Sequence, residues 1–112
     1  MFEGAVARGS WPGYGAMGDP EPLNDYWTAV HEPAAFAREM IEEGIGAVKL
    51  WSFDFAAHKL NGSIHITAAD VEEGIKPFRT ISDAVGNQLE LLLDGHGFFQ
   101  LPVAMRIAEA MC

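Results

Sequence analysis

Cysteine is nearly absent from this chain: there is one, Cys112, at the last position. A lone thiol cannot close an internal disulfide. That excludes a disulfide-stapled scaffold and points to a reducing, cytoplasmic setting. Basic residues are also scarce, 7 against 16 acids, for a formal net charge of −9. Such a balance argues against a nucleic-acid surface and against an anionic membrane surface. No apolar run approaches the roughly 20 residues that span a bilayer. Met1-Phe2-Glu3-Gly4-Ala5 has neither a basic start nor a long apolar core, so no secretory signal is expected. There is no internal repeat and no low-complexity tract. What is present is a hydrophobic share of 49% in 112 residues. That is enough for a packed core, too much for disorder, and a length that suits one small domain.

Periodicity divides the chain into a loop-rich segment over residues 1–31 and an alternating segment over 32–112. In the first, Ala5-Val6-Ala7 is the one short strand-like run. Arg8 to Asn24 is dense in glycine and proline, which is turn chemistry. Its aromatics and those just after it (Trp11, Tyr14, Tyr26, Trp27) either cover a pocket or pack on a neighbouring element. A first helix is predicted from Pro33 to Glu43, with proline at its first position, an apolar stripe of Phe36, Ala37, Met40 and Ile41, and Gly44 as its stop. Ile45 to Trp51 reads as a strand in which Ala47, Lys49 and Trp51 share a face. Lys49 is the odd member. It needs a partner or water, because an unpaired buried ammonium is costly. Residues 52–66 read as a connecting loop. His58 and His65 in it lack the helical spacing of a metal pair and are expected to be solvated or locally bonded. Asp54, just past the strand, either lines the same mouth as Lys49 or caps a turn. Thr67-Ala68-Ala69-Asp70 resembles a capping box that opens a second helix. Val71, Ile75, Phe78, Ile81 and Val85 follow at helical spacing, with Pro77 expected to kink or break it. A third helix begins near Gln100-Leu101-Pro102.

Leu89-Glu90-Leu91-Leu92-Leu93 is predicted to be a strand buried on both faces. It ends in Asp94-Gly95-His96-Gly97. In an extended chain Asp94 and His96 project to the same side, and the glycines leave room for a ligand. A carboxylate and an imidazole at the C-terminal end of a buried strand is where α/β enzymes keep their chemistry. The order helix, strand, helix, strand, helix predicts an α/β fold with parallel strands. Two strands are too few to close a barrel, which needs about 250 residues. The expectation is therefore a partial TIM-type (β/α) barrel, too short to close.

Three motifs together resemble the mandelate racemase/muconate lactonizing branch of the enolase superfamily. Gly44-Ile45-Gly46-Ala47-Val48-Lys49-Leu50-Trp51-Ser52-Phe53-Asp54 is similar to its second-strand motif. Ile81-Ser82-Asp83-Ala84-Val85-Gly86-Asn87 is similar to the helix end before its third strand. Leu93-Asp94-Gly95-His96-Gly97, with Pro102-Val103-Ala104 and Ile107-Ala108, is similar to its third strand and helix. The resemblance covers about residues 32–112, which would be strands 2 and 3 with flanking helices. It implies a (β/α)7β barrel with a separate capping domain, a Mg²⁺ cofactor, and removal of the proton next to a carboxylate. Carried over, Asp94 would be the first of three acidic Mg²⁺ ligands. His96 would be the acid that protonates a departing hydroxyl, as in acid-sugar dehydratases. Lys49 would hold the substrate carboxylate. Trp51 stands where racemases carry a basic lysine, which favours a dehydratase. The implied partners are a small carboxylate or sugar-acid substrate and, for the complete enzyme, further copies of itself. The remaining ligands and the base belong to later strands, so the isolated chain is expected to be inactive. Two other readings are a catalytically dead truncated product, and an unrelated α/β binding module in which Asp94 and His96 form a structural pair.

Overall fold

The computed structural model describes residues 25–112; Ala5-Val6-Ala7, the turn-rich stretch 8–24, Trp11 and Tyr14 lie outside them. The described elements are α1 (Asp25–His31), α2 (Pro33–Glu42), β1 (Ala47–Leu50), α3 (Asp54–Leu60), α4 (Ala68–Val85), a 3-10 turn (Gly86–Gln88), β2 (Glu90–Leu93) and α5 (Leu101–Met111). Two of them fall where loop was expected. Residues 25–31, at the end of the loop-rich segment, are helical, and Tyr26 and Ala29 are buried there. Residues 54–60 are helical too, with Asp54 and Ala56 buried, and Asn61 in the left-handed conformation closes that helix. Each helix is under two full turns long, too short for apolar periodicity to stand out.

The elements form for local reasons. Pro33 begins α2, where a missing N–H costs nothing. Gly44 (φ +84°) turns the chain out of it. Thr67 caps α4, accepting the backbone N–H of Asp70 at 3.1 Å. The reciprocal half of the expected capping box is absent, because the Asp70 carboxylate takes Lys59 Nζ at 2.7 Å instead. Pro77 does not break α4, which runs through it for 18 residues. Proline removes the N–H that would serve the Glu73 carbonyl. In the same turn the Ser52 hydroxyl donates to the Gly74 carbonyl, tying the helix to the end of β1.

β1 and β2 pair in parallel, with Ala47 opposite Glu90, Lys49 opposite Leu92 and Leu50 opposite Leu93. The ladder continues to the Asp94 N–H, which donates to the Leu50 carbonyl at 2.9 Å. Val48, Leu50, Leu91 and Leu93 face the helices and join a core of Phe36, Met40, Phe53, Ile75, Phe78, Ile81, Val103 and Ile107. Burying each large side chain contributes on the order of 1.5–3 kcal/mol. Ala47, Lys49, Glu90 and Leu92 lie on the opposite face and are exposed. The expectation that the second strand is covered on both faces is therefore corrected. The packed core lies on the face of Val48, Leu50, Leu91 and Leu93, and Leu92 is 43% exposed on the other. The result is an open two-stranded parallel sheet alternating with helices, a partial (β/α) barrel. Among the described residues no helix is long and apolar enough to cross a membrane.

Candidate functional site

The ends of β1 and β2 bring four polar side chains together. Lys49 projects from the exposed face of β1, and its Nζ lies 3.0 Å from Asp94 Oδ2. Asp94 follows β2 directly. Its other oxygen, Oδ1, accepts the backbone N–H of His96 at 2.9 Å. That is the local turn by which an aspartate binds the amide two residues on. The His96 N–H first, and the Lys49 ammonium second, hold the Asp94 carboxyl below the usual carboxylate range.

The same turn sets His96. The chain is not extended here, as the alternation argument assumed. His96 adopts the left-handed conformation at φ +54°, and Gly97 follows at φ +73°. A left-handed side-chain-bearing residue costs roughly 1–2 kcal/mol. The ring lies edge-on to Trp51 (6.1 Å between centroids) and tilted against Phe98 (5.2 Å). Its Nδ1 stands 3.9 Å from Asp94 Oδ1, and its Nε2 stands 3.3 Å from Asp54 Oδ2. Trp51 is itself buried under Tyr26, which stacks on it at 5.1 Å. Tyr26 therefore packs on a neighbouring element, the plainer of its two expected roles.

Asp54 is the fourth member. Sequence reasoning left it between a mouth residue and a turn cap. It is the first residue of α3 and is 1% exposed. Among the described residues neither of its carboxylate oxygens has a hydrogen-bond partner, and neither does His96 Nε2. The 3.3 Å approach therefore brings the two groups close without meeting hydrogen-bond geometry. Burial pushes the Asp54 carboxyl up from 3.8 to about 6; His96 pulls it back and Asp94 adds to the rise. The signal in the sequence was an aspartate three residues beyond an apolar strand, at the start of a short helix. His58 and His65 are exposed, and the His65 N–H donates to Ser63 Oγ. Among the described residues no three histidines, cysteines or acids are placed to hold a metal ion.

Lys49, Asp94 and His96 thus meet at one strand-end mouth, with Asp54 behind the histidine. The mouth offers a cation for an anionic group, a carboxylate held ionised, and an imidazole. The family model for the enolase C-terminal domain-like family matches residues 32–112. The chain belongs to that family. Among solved structures it is similar to an enolase of the mandelate racemase subgroup from Agrobacterium tumefaciens, crystallised with a succinimide residue, sodium and phosphate. The identity is 37% and the TM-score 0.67, over 70% of this chain and 21% of that one. A second structure of that Agrobacterium tumefaciens enolase, with a succinimide residue, agrees at 37% and 0.67, over 70% and 22%. It is also similar to an enolase protein from environmental shotgun sequencing of the Sargasso Sea, at 32% identity and TM-score 0.69, over 73% of this chain and 22% of that one. A search of curated proteins found no match. The chain spans about a fifth of the length of the structures it matches. Membership of the enolase superfamily removes the reading of an unrelated α/β module.

Proposed function

We propose that this chain is the second- and third-strand portion of a Mg²⁺-dependent enolase-superfamily enzyme that removes the proton next to a carboxylate, acting as an acid-sugar dehydratase. The domain reading goes with it: residues 32–112 as barrel segment, residues 1–31 as a preceding segment. The observation that carries the proposal is the 3.0 Å approach of Lys49 to Asp94 across the two strand ends, with His96 on the following turn. A carboxylate kept ionised at an open mouth is suited to a hard divalent cation. The fit to Mg²⁺ is partial. Asp94 supplies one ligand, and one carboxylate does not hold the ion. When bound, Mg²⁺ would polarise the substrate carboxylate.

This chain's own part in the reaction is narrower. The Lys49 ammonium pairs with the substrate carboxylate and offsets charge as it builds there. A base from outside the described residues takes the α-proton. The electron pair left behind forms the carbon–carbon double bond as the neighbouring carbon–oxygen bond breaks. His96 gives its proton to that oxygen, which leaves as water. The enol product then becomes a 2-keto acid. Trp51, in place of a second lysine, supplies no base from β1. We assign the complete enzyme to the cytoplasm, as a homo-oligomer acting on a small sugar acid, and the isolated chain no activity.

The test has two steps. The coding sequence downstream of Cys112 is read for an in-frame continuation with acids at two further strand ends. The completed barrel is then titrated with Mg²⁺, with and without Asp94→Asn, and assayed for 2-keto acid release from sugar acids. Loss of Mg²⁺ affinity in Asp94→Asn supports the reading. Unchanged affinity defeats it. A downstream stop codon, with no continuation, favours the truncated, inactive product.

A further inference from the structure

We infer that Asp54 is a positioning residue for His96: it takes the Nε2–H of the ring and so leaves Nδ1 as the nitrogen that is free on the Asp94 side. The inference rests on the reading of His96 as proton donor, and deepens it.

Four observations lead to it. Asp54 is 1% exposed, so water does not serve its oxygens. A buried carboxylate without hydrogen bonds is costly. Facing it at 3.3 Å is His96 Nε2, which is likewise buried and without a hydrogen-bond partner among the described residues. Each is the other's nearest remedy. The terminal torsion of histidine is broad, so a modest ring rotation turns the contact into a hydrogen bond. Two rings confine that rotation, Trp51 at the edge and Phe98 against the side. The backbone end is already pinned, because Asp94 Oδ1 holds the His96 N–H. The residue is therefore fixed at both ends, by Asp94 at the amide and by Asp54 at Nε2.

The consequence concerns which nitrogen works. Nδ1 stands 3.9 Å from Asp94 Oδ1, too far for a hydrogen bond. It is the ring nitrogen that approaches Asp94, while Nε2 is the one that approaches Asp54. With Nε2–H committed to a carboxylate, a neutral ring carries its lone pair on Nδ1. A carboxylate that fixes tautomer and orientation from behind is the third-group logic of catalytic histidines generally.

The test reads the tautomer directly. The 112-residue chain is labelled with ¹⁵N and its histidine rings are observed at pH 8, where an ordinary imidazole of pKa roughly 6.5 is neutral. Subtraction of the His96→Gln spectrum identifies the His96 signals. The expected result is one tautomer with Nε2 protonated and Nδ1 bare. In Asp54→Asn, whose amide can donate to Nε2, the ring is expected to shift to a mixture or to the Nδ1–H form. A merely structural Asp54 would change the melting temperature and leave the tautomer alone. A wild-type Nδ1–H ring overturns the inference. So does a ring averaging over both forms, or an unchanged tautomer in folded Asp54→Asn. If Asp54→Asn does not fold, Asp54→Glu decides: a single Nε2–H ring retained by the longer carboxylate supports the inference, and a mixed ring there overturns it. No metal or substrate enters the measurement. An Nε2–H ring beside a failed Mg²⁺ titration would therefore sink the dehydratase reading and leave the Asp54 anchor standing.

Discussion

Asp54→Asn is expected to make the protein more stable at neutral pH, and to do so only above the range in which Asp54 ionises. The carboxyl rises from 3.8 to about 6 on folding, chiefly through burial. The folded chain thus binds that proton more tightly than the unfolded chain. Below about pH 4 both forms are protonated and the group is neutral in either state. Between the two values the unfolded form ionises first. Above about 6 both are charged and the folded state carries the whole cost. Stability contributed by this group therefore falls as pH rises from about 4 to about 6 and stays low beyond. A rise of about 2 pH units at 1.36 kcal/mol each is about 3 kcal/mol.

Asparagine keeps the shape and never ionises. The stability difference between Asp54→Asn and the native chain should accordingly be small near pH 4 and grow by about 3 kcal/mol toward pH 7.5. At about 4–8 °C per kcal/mol for a domain of this size, that is on the order of 10–20 °C in melting temperature. Thermal unfolding followed by circular dichroism at pH 4, 5, 6 and 7.5 measures it. Taking the difference between the two proteins cancels the titration of groups far from Asp54, so what remains belongs to Asp54 and to His96 and Asp94, which interact with it. A difference that is flat with pH, or that grows toward acid, would show that Asp54 is not ionised in a desolvated position and would undo the argument.

Three further outcomes follow from particular contacts. Gly74→Ala should destabilise by up to about 2 kcal/mol in urea denaturation. A methyl there would sit on the fully buried Phe53 ring, at a cost of about 1–3 kcal/mol of overpacking against roughly 1 kcal/mol of helix propensity gained. A stabilised variant would mean that Phe53 is not seated against α4. Lys59→Met should cost about 1–3 kcal/mol by the same method, because Asp70, itself buried, loses the ammonium at 2.7 Å. No loss would mean that solvent reaches Asp70. Lys49→Met should barely change the melting temperature, since its pair with Asp94 is open to water and salt. It should still raise the KM of the complete enzyme for a carboxylate substrate; an unchanged KM would remove Lys49 from substrate binding.

The long-range order was readable because it rests on periodicity. The α4 stripe of Val71, Ile75, Phe78, Ile81 and Val85 is buried as its spacing demands. The strands, too, lie within the apolar runs that suggested them, trimmed to Ala47–Leu50 and Glu90–Leu93. What escaped were short elements and backbone exceptions. α1 and α3 have seven residues each, and their burial comes from tertiary contacts rather than from any stripe. Pro77 was expected to disturb α4, but a helix packed on one side tolerates a lost donor where neighbouring groups hold the turn. At the site, alternation along β2 gave the right neighbourhood for Asp94 and His96 by an argument that stops one residue too early. The chain turns at Gly95, and His96 reaches its place through a left-handed backbone that no period-2 rule anticipates.

Asp54 was the least legible residue and the most informative one. An aspartate after a strand is ordinarily a turn cap, and only the fold shows that it is enclosed and aimed at an imidazole. It also separates two kinds of chemistry. A barrel site at strand ends draws its groups from several strands. On the proposed reading, these two strands would supply an anchor for a carboxylate and one metal ligand, a set that is useful only in company. The Asp54–His96 pair needs no further strand, because both members lie within the described residues and face each other at 3.3 Å. An enclosed carboxylate that is disfavoured in its charged form and whose close side-chain neighbour is a histidine is poorly explained as scaffolding. Its cost is better understood as the consequence of orienting that ring, which makes the ring's tautomer the most direct measure of the site in this chain.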